Sequence, residues 1–137
     1  MSRSITMLFA IICYAIFFAT FLYLIVFVGD LRFATLTVDV GPESPPLTAA
    51  IIDVALIALF GLQHSVMARP AFKAKWTKII PPPAERSFYV LAASIALIIL
   101  FLAWRPIDTI VWNVRNPALQ MLIWAVFWIG WATVLVS

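Results

Sequence analysis

The chain has 137 residues, of which 65% are hydrophobic and only 11% are charged, and its formal net charge is +3. An ordinary soluble domain carries about 25% charged residues, and so short a chain cannot hide this much apolar surface in a core of its own, so a soluble fold and intrinsic disorder are both excluded. The basic residues flank long apolar runs, so they indicate a lipid bilayer as the partner and no nucleic acid.

Four apolar stretches are long enough to cross a membrane as helices. A hydrocarbon core of about 30 Å needs about 20 helical residues, and a helix satisfies every backbone hydrogen bond without water. The first stretch is longer than the roughly 7–15 apolar residues of a signal peptide, so we expect it to be a retained anchor. The sequence predicts an all-α integral membrane protein, one domain over residues 1–137, with spans at about 5–28, 47–67, 87–104 and 118–136.

The first connecting segment, residues 30–46, carries more acidic than basic side chains and ends in a proline-rich run. Prolines fix φ and remove backbone donors, so neither strand nor helix is expected to persist there. The segment that follows the second span, residues 68–86, is strongly basic. Because Lys and Arg in short loops mark the cytoplasmic side, we expect both termini and this basic segment to be cytoplasmic, in a bacterial inner membrane.

A short amphipathic helix is predicted inside the 68–86 loop. Pro70 suits the first position of a helix, and Phe72, Trp76 and Ile79 recur at helical spacing between lysines. The prolines at 81–83 would stop it. Such a helix is typical of the membrane interface, where its lysines reach anionic headgroups.

His64 lies near the cytoplasmic end of the second span. It is either a substrate or proton-transfer group, since neutral imidazole accepts a proton near pH 7, or a helix-end side chain bonded to a neighbouring helix. It is the one histidine of the sequence, and Cys13 belongs to another span. We therefore expect no metal site.

Asp53 lies about two turns inside the second span, where a carboxyl group needs a partner. Arg32, Arg105 and Arg115 are the candidates, and a structural role is favoured over a proton relay. In the last span, Trp124, Trp128 and Trp131 follow helical spacing. This stripe either contacts a partner helix or faces lipid and neighbouring helices.

The second span and the loop after it contain several specific strings. They are Gln63-His64-Ser65-Val66-Met67-Ala68-Arg69-Pro70-Ala71-Phe72-Lys73, then Glu85-Arg86-Ser87 and Trp104-Arg105-Pro106-Ile107. Over about residues 50–130 the chain resembles the amino-terminal half of the membrane-bound methanethiol S-methyltransferase family. That family is related to NnrU-type proteins and, more remotely, to isoprenylcysteine carboxyl methyltransferases.

The resemblance implies a helical membrane enzyme that transfers a methyl group from S-adenosylmethionine to a small thiol. It implies catalytic roles for His64, Arg69, Glu85 and Arg86, and substrate-binding roles for Gln63 and Ser65. A thiol must lose its proton before it attacks, so His64 would take the proton while Arg69 or Arg86 stabilises the thiolate.

The family's methyl-donor signature, an Arg-His-Pro string, belongs to its second half and does not occur in these 137 residues. We therefore expect that S-adenosylmethionine does not bind this chain alone, and that another integral membrane polypeptide supplies the missing half. Two other functions stay open: a non-catalytic accessory subunit of a larger membrane complex, and a carrier of a small molecule or lipid.

Overall fold

A computed structural model describes residues 2–137 of the chain. Its helices are α1 (Arg3–Val28), α2 (Pro46–Met67), α3 (Pro70–Trp76), α4 (Glu85–Ala103) and α5 (Pro117–Val136), with a 3-10 turn at Pro82–Ala84 before α4. The described residues contain no strand. Four of these helical segments are long and apolar enough to cross a membrane, which confirms the predicted all-α membrane fold.

Each long helix begins one or two residues before the predicted span, for a local reason. Ser2 caps α1 by accepting a hydrogen bond from the Ile5 N–H at 3.4 Å, and Asn116 caps α5 by accepting one from the Ala118 N–H at 2.9 Å. Helices α2 and α5 start with a proline, whose missing N–H costs nothing in a first turn. Capping and first-turn residues are polar or imino, so hydropathy alone leaves them outside the span.

The chain divides into two compact units, of which the first ends at Ile107 and the second covers Asp108–Ser137. In the first unit α4 is the central helix, because it contacts both α1 and α2. Accordingly 44% of its span is buried, against 22% for α1 and 17% for α2. The core of this unit consists of apolar side chains from all three helices: Phe27, Leu56, Leu97, Leu100 and Phe101.

The segment between α1 and α2 has no helix or strand, as predicted from its prolines. It nevertheless packs against the helix ends. The Tyr23 hydroxyl donates to the Leu36 carbonyl at 2.6 Å, and the Trp104 indole N–H donates to the Val38 carbonyl at 3.0 Å. Gly41 lies so close to Pro106 that a Cβ at this position would be 3.3 Å from the proline Cδ. The loop is therefore held over the end of α4.

Asp53, which is buried in α2, forms a hydrogen bond at the same end of the first unit. Its carboxyl oxygen accepts a hydrogen bond from the backbone N–H of Arg105 at 2.8 Å, just after α4 ends, and the side chain is 5% exposed. One of the expected partners is thus found, but the contact is made by the backbone of Arg105. A backbone amide left free at a buried helix end is costly, so this bond ties α2 to α4.

Helix α3 lies in the 68–86 loop as predicted and is amphipathic, but it ends at Trp76, so Ile79 lies beyond it and the prolines at 81–83 are not what stops it. Trp76 packs edge-on against Phe88 of α4, with ring centroids 6.1 Å apart, and Phe72 stacks on Trp76. Lys73 and Lys75 are exposed. That this helix lies in the membrane interface stays a prediction.

Helix α5 is the only long helix of the second unit, and none of its residues is buried. Its first turn is fixed by the Asn116 cap and by the Gln120 side-chain amide, which donates to the Val114 carbonyl at 2.6 Å. The prediction of a single membrane domain stays a prediction.

Candidate functional site

Most of the predicted site residues lie where α2 ends, α3 begins and α4 begins. Gln63, His64 and Ser65 belong to the last turns of α2, and Arg69 is the residue that precedes α3. Glu85 and Arg86 open α4. The connection through α3 and the 3-10 turn is short, so these three helix ends form one end of the first unit.

His64 lies in the seam between α2 and α4. Its ring centroid is 5.1 Å from that of Phe60, one turn earlier in α2, and 5.2 Å from that of Tyr89 in α4. These distances fit direct ring packing, which restricts how the imidazole turns. The side chain is nevertheless exposed, so its nitrogens are accessible at the edge of the seam.

A cavity of about 260 Å³ lies beside this seam. It is lined by Ala68, Lys73, Glu85, Arg86 and Tyr89. The structure therefore brings two predicted catalytic residues, Glu85 and Arg86, into one cavity. Tyr89 both lines this cavity and packs on His64, so it connects the third predicted catalytic residue to the other two.

The charges around the cavity favour an anionic ligand. Lys73 and Arg86 supply two cations, and Glu85 supplies one carboxylate in the first turn of α4, where the helix dipole stabilises negative charge. Among residues 2–137, no ion pair within 4.0 Å joins Glu85 to either cation. The two cations therefore keep donors for a thiolate, carboxylate or phosphate.

Gln63 has a buried acceptor that the fold leaves unused. Its amide nitrogen donates to the Met67 sulfur at 3.2 Å, while its carbonyl oxygen is buried without a hydrogen-bond partner. An unsatisfied buried acceptor costs about 1–3 kcal/mol, so a ligand or neighbouring chain that donates to it would be favoured.

Two predicted site residues do not reach the cavity. Ser65 and Arg69 are exposed, and neither is among the described residues that line it. Ser65 is rotated by about 100° from His64 around α2, so the two side chains point in different directions. Arg69 precedes α3 with an extended backbone, and its carbonyl accepts the Lys73 N–H at 3.1 Å.

Tyr89 and Lys73 line the cavity but were not predicted as site residues. The spacing of Glu85, Arg86 and Tyr89 is i, i+1 and i+4, which places the three on one face of a helix, so helical periodicity contained the signal for Tyr89. Lys73 was placed among the lysines facing the headgroups. Its position at the cavity depends on how α3 folds back on α4.

The tryptophans of α5 form a cluster of their own. The Phe127 ring centroid lies 5.3 Å from that of Trp124, 5.0 Å from that of Trp128 and 6.2 Å from that of Trp131. Trp124 is 43% exposed and Trp128 is 48% exposed. A partner contact at this stripe stays a prediction.

Within residues 2–137, no group of three or more His, Cys, Asp or Glu side chains is arranged to hold a metal ion. Cys13 is buried in α1.

Comparison with known proteins gives relatives over the whole chain. A methanethiol S-methyltransferase of Mycobacterium tuberculosis is 44% identical over 137 residues, which are 100% of this chain and 56% of that protein. A methanethiol S-methyltransferase of Crocosphaera subtropica is 43% identical over 137 residues, 53% of its length. Nurim of Xenopus laevis is 32% identical over 87 residues, 57% of this chain and 30% of nurim.

The chain thus spans about half the length of these methyltransferases and corresponds to their amino-terminal half. This confirms the resemblance predicted from the local strings. No family model matches the chain. No solved structure matches it significantly either.

Proposed function

We propose that this homologue of the amino-terminal half of methanethiol S-methyltransferases holds the thiol substrate of an S-adenosylmethionine-dependent S-methyltransferase. The observation that carries the proposal is that Tyr89 packs on His64 and lines the cavity of Glu85 and Arg86. The chain is also 44% identical to such a protein over all its 137 residues. Residues far apart in sequence are brought together as a shared site requires.

His64 is the general base of this proposal. A thiol attacks a methyl group as the thiolate, and even a free cysteine, with a thiol pKa of about 8.5, is mostly protonated at neutral pH. An imidazole nitrogen of His64 accepts the S–H proton and leaves the thiolate. The methyl group would come from S-adenosylmethionine, whose bond between the sulfonium sulfur and the methyl carbon would break so that S-adenosylhomocysteine leaves. The side chain is exposed and its ring is packed between Phe60 and Tyr89, so the base is both accessible and oriented.

Arg86 is a better partner for the thiolate than Arg69. Both matched the family strings, but Arg86 lines the cavity beside Tyr89 and Arg69 does not. Its guanidinium stays protonated at neutral pH, so it stabilises the thiolate without giving up its own proton. Glu85 lines the same cavity without forming an ion pair with Arg86.

The size of the cavity suits a small thiol. Pockets that enclose drug-sized ligands measure roughly 300–1,000 Å³, whereas this one measures about 260 Å³. A molecule of a few heavy atoms fits, but one as large as S-adenosylmethionine needs more space. We assign the donor site to another integral membrane polypeptide segment, equivalent to the carboxy-terminal half of the longer relatives, because the family's Arg-His-Pro signature does not occur in these residues.

The charges at the two ends of the first unit support one orientation in the membrane. The helix ends around the cavity carry Arg69, Lys73, Lys75, Lys78 and Arg86, whereas the 30–46 loop at the other end is acidic. Basic loop residues face the cytoplasm. We place the protein in a bacterial inner membrane with the cavity, and both termini, on the cytoplasmic side, where S-adenosylmethionine is made available.

Reconstitution tests the proposal. The chain is co-expressed with the carboxy-terminal half of the Mycobacterium tuberculosis relative, and dimethyl sulfide formed from methanethiol and S-adenosylmethionine is measured by headspace gas chromatography. General-base catalysis contributes about 10²–10⁴-fold, so His64→Ala should lower turnover by that factor. Leu59→Ala, one turn earlier on an exposed face of α2, is the matched control.

Turnover of His64→Ala equal to that of Leu59→Ala would remove His64 from the reaction. If the two halves co-purify at fixed stoichiometry and no thiol is methylated, the accessory-subunit function takes the place of this proposal.

A further inference from the structure

A groove between the start of α1 and the proline turn before α4 has no part in the proposed reaction. At about 840 Å³ it is larger than the cavity beside His64, and it is open to the outside. Its lining residues come from the first two turns of α1 and from the segment that contains Pro81 and Pro83. The contact between α1 and the 3-10 turn holds its two walls together.

The groove is polar at one edge. Arg3, Ser4 and Thr6, from the first turn of α1, lie there. Among the described residues, Arg3 has no acidic side chain within 4.0 Å, so its guanidinium is available to an anion. The positive end of the α1 dipole lies at the same place and adds to the attraction.

Away from that edge the groove is apolar. Met7 and Ala10 line it on α1, and Pro81 and Pro83 line the opposite wall. Prolines have no N–H, and the next two amides are already used, since Ala84 donates to the Pro81 carbonyl and Glu85 to the Pro82 carbonyl. From Arg3 to Ala10 is about 10 Å along the helix, in the direction that leads into the membrane.

We propose that this groove binds one anionic phospholipid, with its phosphate at Arg3 and part of one acyl chain along Met7, Ala10 and the prolines. Helix α1 is a candidate membrane span, so its first turn lies at the level of the headgroups. The charge of the surrounding surface selects the lipid. This end of the first unit carries one acidic side chain, Glu85. Its basic side chains are Arg3, Arg69, Lys73, Lys75, Lys78 and Arg86.

The proposal differs from a general attraction of lysines to the membrane surface. A diffuse attraction depends on total charge, whereas a bound lipid depends on both the cation and the free space beside it. Two kinds of variant therefore separate the two situations: one removes the charge at Arg3, and the other fills the apolar floor at Ala10.

The experiment is native mass spectrometry of the full chain released from detergent containing equal amounts of phosphatidylglycerol and phosphatidylcholine with identical acyl chains. We expect one phosphatidylglycerol to be retained in preference to phosphatidylcholine. Arg3→Gln and Ala10→Trp should each lower its retention about two- to fivefold, as for one exposed ionic contact. Arg32→Gln removes an exposed cation, which pairs with Asp30 at 3.1 Å, from the other end of α1 and should leave retention unchanged.

Three results would overturn the proposal: equal retention of the two lipids, the same loss in Arg32→Gln as in Arg3→Gln, or full retention in Ala10→Trp. Circular dichroism of each variant confirms that its helix content is preserved. Because no step requires the missing half or methyl transfer, failure of the methyltransferase proposal leaves this result intact.

Discussion

The hydrogen bond between Asp53 and Arg105 makes a sharp test of how the first unit is held together. The two residues are 52 positions apart, and the bond joins the middle of α2 to the backbone just beyond α4. Asp53→Ala removes the acceptor and leaves the Arg105 N–H without its partner. Arg105 also has a buried Nε without a partner, so this end of α4 has no spare acceptor to offer.

The magnitude follows from the geometry. A bond of 2.8 Å to a side chain that is 5% exposed is well formed and sheltered from water. An intramolecular hydrogen bond contributes about 0.5–1.5 kcal/mol, or about 1.5–3 kcal/mol when one group is charged, and an orphaned buried donor costs a similar amount. We therefore expect Asp53→Ala to lower the free energy of unfolding by about 2 kcal/mol. Asp53→Asn keeps an acceptor oxygen and should cost less than about 1 kcal/mol.

The assay is reversible unfolding in mixed micelles titrated with sodium dodecyl sulfate, followed by far-ultraviolet circular dichroism. Glu43→Ala is the control, because it removes an exposed carboxylate from the neighbouring loop. If Asp53→Ala costs no more than Glu43→Ala, or if Asp53→Asn costs as much as Asp53→Ala, the hydrogen bond is not what stabilises this end of the protein.

Two further predictions concern the loop and the orientation. Trp104→Phe removes the indole donor to the Val38 carbonyl, so it should lower the free energy of unfolding by about 1 kcal/mol and speed amide hydrogen exchange in residues 36–41. Trp112 is exposed, and Trp112→Phe should change neither quantity. Unchanged exchange in Trp104→Phe would mean that other contacts hold the loop. In a Cys13→Ala background, an impermeant maleimide applied to intact cells should label Glu43→Cys and spare Lys78→Cys, and the reverse pattern would invert the proposed topology.

The helices could be predicted because membrane spans are encoded locally. Twenty apolar residues identify a span whatever it packs against, and prolines and capping residues mark its ends. The amphipathic α3 followed from the spacing of Phe72 and Trp76. For the same reason the predicted starts were late by only one or two residues.

The contents of the candidate site were predictable only in part. His64, Glu85 and Arg86 were selected from strings in the sequence, but so were Ser65 and Arg69, and the structure keeps those two out of the cavity. A string records which residues occur together along the chain. Which of them share a cavity depends on the rotation of each helix about its axis, and that is fixed by packing between helices.

For Asp53, too, the sequence predicted the need for a partner but not which group the partner would be. Its position inside an apolar span required a partner, and the sequence offered three arginine side chains as candidates. The structure supplies a backbone N–H, because the chain turns extended at Trp104, so the Arg105 amide no longer bonds to a carbonyl of α4 and donates to Asp53 instead.

By itself, then, the sequence determined that the chain crosses the membrane as helices, where these begin and end, and which proteins it resembles, because hydropathy, capping and sequence similarity are properties of the linear chain. Only the tertiary structure decided that α4 lies between α1 and α2, that Tyr89 joins His64 to the cavity with Glu85 and Arg86, and that an open groove separates Arg3 from the proline turn. These features arise from contacts between residues distant in sequence, and the energies of such contacts depend on the three-dimensional arrangement of the helices.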